Sequence, residues 1–491
     1  MKGDFTRDTF DPLKNFSRVL MQQGRVQLDA DWNEQNAILL HYLRTLAADL
    51  LGPHAGPAVG RGFDLITGET VKRWGDDGLD PAEQWAKIEP DEARQKVLSE
   101  AVEKHNNAVI GVGRYYVHGV LVENHRPILY TEQLGYPFSP EMQLENLQNK
   151  ELIVYLDVWE RHITWVQDDH IREVALGGAD TCTRAQVVWQ VKALLRGDQN
   201  TFDCGSVETL LARLNPPTLR ARARRETPSP ELCSVSPESK YRGLENHLYR
   251  VEVHELDVGV KGGGKGKKAG TTATFKWSRD NGSRVYPLVS LSETRAVVAT
   301  LGRDQCTQLK PGDWVEVCDD LLALRGQSGP LARVERVDRD ELTVTLKWPD
   351  GVTELPGYAQ GDATDLHPLL RRWDHAGDPA AWHGALPVSE SADRTEGWIA
   401  LEDGVEVWFA EGGEYRVGDY WLIPARVATG DVEWPRTRDS AGAEIANDPA
   451  LLPPHGPQHY YAPLLAVTSD AGGNTKSTEC RCLIHEIVAC P

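Results

Sequence analysis

Near the C-terminal end, Cys480, Cys482, His485 and Cys490 combine thiolate sulfur with an imidazole, the donor set of a zinc tetrahedron. Their spacing is not that of a finger or ribbon, and Cys480-Arg481-Cys482 falls in a run that reads as a final strand. Packed thiols are the plainer reading. Asp168-Asp169-His170 with Glu173 could hold a cation or pass a proton, and a solvated turn between strands accounts for the same residues. Asp157 and Glu160 supply the two carboxylates that glycoside hydrolysis needs, ~5 to 9 Å apart across a sugar cleft. With 73 acidic residues in the chain, some such pair always arises. Trp277, Trp314, Trp373 and Trp421 could stack on sugars, Trp373 and Trp421 being the glycan-stacking candidates; an indole on a sheet face is more often core or interface.

Other catalytic patterns are missing from the sequence. No serine sits in a nucleophile elbow, no cysteine has a plausible histidine partner, and no glycine-rich nucleotide fingerprint occurs. Gly262-Gly263-Gly264-Lys265-Gly266-Lys267-Lys268 has glycines and lysines, but no Ser or Thr directly follows the lysine pair and no helix follows the glycines. It reads as a flexible basic insertion, 261–270. The expectation is a non-enzymatic protein with no cofactor, no catalytic residue and no metal beyond the weak Cys/His set.

A chain of 491 residues should form two to four domains, because single cores stop growing near ~250 to 300 residues. The formal net charge of −20, spread along the chain, argues against a nucleic-acid partner, which needs a clustered basic face. No run of eighteen apolar residues offers a membrane span, and Met1-Lys2-Gly3-Asp4 leads into polar sequence with no signal peptide. The reading is synthesis in the cytoplasm, where the eight cysteines stay reduced. Forty-four glycines with 29 prolines favour turn-rich β architecture, and the 15 tryptophans suit sheet faces and subunit contacts.

The one segment that reads as a long helix begins at Asp31-Trp32-Asn33-Glu34, a capping-box pattern. Leu39, Leu40, Leu43, Leu46, Ala47, Leu50 and Leu51 recur at three- and four-residue spacing until Gly52-Pro53 stops the helix. Before it, Arg18 to Asp29 reads as an extended arm with a turn at Gly24, Val26 and Leu28 alternating as in a half-buried strand. Residues 53–75 read as a linker, and a short helix is expected near 91–105. Beyond it the period changes to two: a hairpin over 111–123 turning at His118-Gly119, a doubly buried strand over 151–159, and a strand over 184–195. Strands at 248–254 and 271–275 bracket the basic insertion, four more between 296 and 346 suggest a small barrel or sandwich, and 406–409 and 418–424 continue the style.

The expected fold is therefore mainly β and multi-domain, small barrels or sandwiches with one long N-terminal amphipathic helix. Composition places domains at 1–75 (arm, helix and linker), 76–240 (a mixed domain with a β core), 241–350 (barrel or sandwich) and 351–491 (C-terminal β domain).

Several segments together resemble a known family. They include Met21-Gln22-Gln23-Gly24-Arg25-Val26-Gln27-Leu28-Asp29 through Glu34, Gly177-Gly178-Ala179-Asp180-Thr181, Phe275-Lys276-Trp277-Ser278-Arg279-Asp280-Asn281-Gly282, Pro311-Gly312-Asp313-Trp314, Leu370-Arg371-Arg372-Trp373-Asp374 and Gly418-Asp419-Tyr420-Trp421-Leu422-Ile423-Pro424. The combination is similar to an uncharacterised bacterial family encoded beside phage-tail-like contractile injection systems and in prophage-like clusters, whose longer members carry a β-helical extension. The resemblance implies a structural or accessory part of such a particle, whether baseplate, tip, cage, cap or lumen, in a homo-oligomer of three- or sixfold symmetry. The arm and helix would attach it, with Arg25, Val26, Leu28, Trp32, Leu39 and Leu43 as interface candidates. A glycan-binding or glycan-cleaving module for target recognition, and a delivered cargo, are the alternatives.

Overall fold

The structure, a computed structural model, describes residues 1–197, 201–224, 240–256, 273–302, 307–361, 363–469 and 475–484. The basic insertion 261–270, together with His485 and Cys490, lies outside the described residues. The protein is mainly β and multi-domain. It divides into two compact units, one of Met1–Thr9, His162–Arg184 and Arg213–Pro457, the other of Phe10–Arg161, Ala185–Ala212 and Gln458–Pro491. Both are discontinuous, so the units do not divide at 75, 240 or 350. Composition marks loops, whereas a unit is defined by which strands pair and share a core.

The first unit holds a closed six-stranded barrel in the order Val285–Ser292, Arg295–Val298, Thr343–Lys347, Leu331–Asp338, Trp314–Cys318, Leu369–Trp373. Alternation builds it: Ala296, Val298, Val315, Val317, Val344 and Leu346 fill one core. The closing strand, Leu369–Trp373, pairs with both Val285–Ser292 and Trp314–Cys318, which leaves the barrel no open edge. Beside the barrel in the chain, a five-stranded sheet runs Leu386–Pro387, Thr274–Ser278, His247–Val253, Tyr420–Arg426, Asp431–Val432. One face of that sheet packs Tyr249, Val251, Phe275, Trp421 and Ile423 against Val405, Val407 and Phe409. In its central antiparallel pair Glu252 stands opposite Lys276, and Arg250 opposite Ser278.

The second unit is built on a four-stranded sheet in the order Thr475–Glu479, His459–Ser469, Leu152–Ile163, Arg184–Leu195. The apolar run of Leu152–Ile163 is buried on both faces through Ile153, Leu156 and Val158. The hairpin Gly113–Val117 with Val120–Asn124 turns at His118 (φ 47°) and Gly119 (φ 77°), two left-handed residues that suit the right-handed twist of the paired strands. Residues 68–76, read from the sequence as linker, form a helix, Gly68–Asp76, started by Thr67, whose hydroxyl accepts the Thr70 N–H. The helices Pro81–Ile88 and Glu92–His105 follow. Cys204 and Cys480 form a disulfide, which corrects the expectation that all thiols are free.

The N-terminal helix of this unit, α1, spans Asp29–Leu51. It starts before the cap expected at Asp31, whose carboxylate works from inside the first turn and accepts the Leu28 N–H at 3.4 Å. The preceding stretch contains one 3-10 turn, Pro12–Lys14, and a turn at Gly24, but no strand. Val26 is 84% and Leu28 44% exposed, so the half-buried strand expected there is not formed. This arm lies along α1, with the ring of Phe10 5.6 Å from that of His41 and the Val19 N–H donating to Gln35 Oε1 at 2.9 Å.

Candidate functional site

α1 is held to its unit by one side only. Ala30 and Ile38 are buried, and Arg44 makes a two-pronged pair with Glu160 at 2.8 and 3.1 Å. The turn residue Gly119 packs directly on the Arg44 carbonyl, where a Cβ would come within 2.1 Å of its oxygen. The opposite side is apolar and open: Trp32 is 66%, Leu39 50% and Leu43 62% exposed, with Leu40, Tyr42, Leu46 and Leu50 exposed beside them. Arg25, Val26 and Leu28 of the arm are exposed as well. The residues singled out from the sequence as interface candidates are thus all at the surface. Exposed apolar side chains at three- and four-residue spacing share one face of the helix, unlike the scattered single residues of an ordinary surface.

The candidate chemical groups are placed otherwise. Asp157 and Glu160 sit three apart on one strand, which puts them on opposite faces of the sheet and rules out a shared sugar cleft. Asp157 is buried between Lys192, at 2.6 Å, and His459, at 2.7 Å. Burial pushes its carboxyl up, but the hydrogen bond from His459 and the Lys192 charge outweigh this and hold it below the usual carboxylate range. Asp168 and Glu173 cap turns, accepting the N–H of His170 at 3.1 Å and of Ala175 at 2.9 Å, and Asp169 pairs with Arg172. The solvated-turn reading accounts for all of them. Among the described residues, no group of three or more His, Cys, Asp or Glu could hold a metal ion, and Cys480 is committed to its disulfide.

Trp373 and Trp421 are buried and cannot stack on a sugar. The Trp373 indole N–H donates to Glu316 at 2.9 Å, and that of Trp421 to the Leu452 carbonyl at 2.9 Å. Trp277 and Trp314 are core residues too.

What sequence reading missed is a buried charge cluster in the first unit. Lys276, out of reach of solvent, places Nζ 2.7 Å from Glu316, 3.5 Å from Glu252 and 3.1 Å from His254 Nδ1, with the Trp373 ring centre 4.7 Å away. Glu316 also accepts the Gly329 N–H at 3.0 Å, and Glu252 accepts from Arg250 at 2.6 Å and pairs with Lys2 at 2.8 Å. Burial pushes both carboxyls up, yet the surrounding cations win and hold Glu252 and Glu316 far below the usual range. Burial, then the Lys276 charge, drives the His254 pKa well below its ordinary value, keeping the ring neutral. The segment Met1–Thr9 completes the cluster: Asn281 donates to the carbonyls of Met1 at 3.1 Å and Gly3 at 2.9 Å, and Arg250 to that of Met1 at 3.3 Å. The only sequence signal was charged residues alternating inside strongly apolar strands, Arg250, Glu252 and His254 on one, Lys276 on the other. Through the pairing of Lys276 with Glu252 and Glu316, the cluster ties sheet to barrel.

In the second unit a cleft of about 470 Å³ is lined by Arg61, Asp64, Glu69, Arg73, Trp74, Lys87, Glu479 and Arg481, among others. Its innermost cation, Arg481, is taken up by Glu479, at 2.7 Å, and by Asp64. Glu69 accepts from Ser477 at 2.7 Å. The lining charges are largely neutralised by one another rather than converging on the space between them.

The chain belongs to DUF6519, a family of unknown function, whose model matches residues 1–88, 95–203 and 197–490. No curated protein and no solved structure matches the chain significantly.

Proposed function

We propose that this DUF6519 protein is a non-enzymatic structural or accessory subunit of a phage-tail-like contractile injection particle, joined to its neighbours through the arm and α1. The observation that carries the reading is the exposed strip Trp32, Leu39 and Leu43 on a helix held to its unit only from behind. Elsewhere apolar side chains build several buried cores, exposed ones such as Leu134, Leu214 and Leu244 lie far from one another in sequence, and the carboxylates and indoles that suggested chemistry are engaged in capping, ion pairing and packing. The particle setting rests on the motif resemblance around Gln22–Glu34, Phe275–Gly282 and Gly418–Pro424. In this reading the protein is made in the cytoplasm, binds no nucleic acid, and assembles as a symmetric homo-oligomer, three- or sixfold, into a particle released from the cell.

The test is purification of the tagged full-length chain from cells that produce it, with electron microscopy of what accompanies it and light scattering of the isolated protein. Contractile particles carrying the chain at fixed stoichiometry, and a defined oligomer in solution, are expected. A chain that purifies alone as a monomer overturns the reading.

A further inference from the structure

The open side of α1 is a regular seam. Trp32, Asn36, Leu39, Leu43, Leu46 and Leu50 follow one another at steps of four, three, four, three and four residues. That is the seven-residue repeat of a coiled coil, with Trp32, Leu39 and Leu46 at one core position and Asn36, Leu43 and Leu50 at the other. All six are exposed. The helix meets its own unit through Ala30, Ile38, His41 and Arg44, and through Gln35, which flanks the seam and accepts the Val19 N–H, while the six seam side chains themselves stay exposed for a second helix. From Trp32 to Leu50 the seam is about 27 Å long, at 1.5 Å per residue.

From this, and resting on the assembly reading above, we infer that α1 packs parallel and in register against α1 of a second copy of this chain. Three features select that occupant. First, Asn36 is the one polar side chain in the seam; only a parallel, in-register partner sets it against another Asn36, whereas an antiparallel or slipped one buries its amide against leucine. Second, the positions flanking the seam oppose no like charges between identical helices: Gln35 and Tyr42 face Leu40 and Ala47 across the pair, and Asp49 points past the helix end. Third, α1 carries four carboxylates, Asp29, Asp31, Glu34 and Asp49, against one cation, Arg44, the wrong balance for an anionic lipid surface. Under four heptads would be marginal for free peptides, but here each helix is already formed and anchored by its own unit.

The test uses full-length protein carrying Asn36→Cys or, as an off-seam control on the same helix, Thr45→Cys. After mild oxidation the disulfides are mapped by peptide mass, which separates them from links through the exposed Cys182 and Cys482. A disulfide joining position 36 of two copies, with position 45 unlinked, is expected. Leu39→Glu with Leu43→Glu should lower the mass in solution at least twofold without changing the circular dichroism, because both side chains already face solvent in one copy. An oligomer that forms no link at position 36, or keeps its mass with both glutamates, overturns the seam and leaves assembly through another face standing. A monomeric wild-type chain overturns both.

Discussion

Glu252 and Lys276 stand directly opposite each other on neighbouring antiparallel strands, carboxylate oxygen and ammonium nitrogen 3.5 Å apart, and solvent reaches neither. Glu316 comes from the barrel to the same nitrogen, at 2.7 Å. The pair is therefore a sheet contact by register and a sheet-to-barrel contact by third partner.

Removing one member of such a cluster strands the others in a medium that solvates charge poorly. Lys276→Met should cost about 3–5 kcal/mol, measured by denaturant unfolding, since it leaves Glu316 facing no direct cation. A change below about 1 kcal/mol would mean that water enters the cluster readily.

The pH dependence follows from groups kept neutral or ionised by their surroundings. His254 lies well below its ordinary value, burial holds His375 at about 4 and His162 at about 3, and the unfolded rings titrate near ~6.5. Each ring therefore takes up its proton on unfolding, and stability should fall as pH drops below ~6.5. Glu252 and Glu316, depressed in the fold, contribute stability that is complete above their unfolded values near ~4.3 and is lost as pH falls further toward their folded ones. The buried Met1 amino group, held at about 4 against ~8 when unfolded, adds a shallower loss below pH 8, so melting temperature should decline progressively as pH falls and more steeply below ~6.5, with His254→Asn flattening the upper part of that steeper decline. Rising stability between pH 6.5 and 5 would contradict the assignment.

The Cys204–Cys480 bridge joins residues 276 apart in sequence. Cys480→Ser should cost about 2–5 kcal/mol in the second unit, read as an earlier unfolding transition, with reductant producing the same shift in the wild type. If reductant leaves the melting curve unchanged, the bridge contributes nothing.

Gly119 meets the Arg44 backbone at a φ of 77°. Gly119→Ala combines left-handed strain with a clash against main chain, and should destabilise by more than about 1 kcal/mol. Hydrogen exchange over 29–51 is the specific readout: α1 should exchange faster, because this turn is what backs it. Unchanged protection there would show that Arg44–Glu160 and Ile38 suffice.

Much of the fold was legible locally. A near-continuous apolar run named the strand expected at 151–159 and found at 152–163, β-branched residues named 184–195, the strand expected at 248–254 is found at 247–253, and alternation with a turn at His118-Gly119 named the hairpin, because these signals act over a few neighbours. The helix 68–76 was hidden by glycine and proline upstream of it, and the closing barrel strand 369–373 by its distance from the strands it joins.

The period of two could also have dismissed Asp157 and Glu160, whose spacing already places them on opposite faces once the strand is granted. The leucine row of α1 was visible as a row.

A period states which side chains share a face; it does not say what covers that face. Arg250 and Glu252 alternate with apolar neighbours along their strand, and the fold buries both together with Lys276, to which the barrel brings Glu316. Leu39 and Leu43 belonged to an apolar row offered as an interface, and the unit buries Ile38 on the other side. The sequence by itself determined the faces, through geometry repeated every two or every 3.5 residues. Only the tertiary structure decided which were covered, because covering is done by strands and side chains tens to hundreds of residues away.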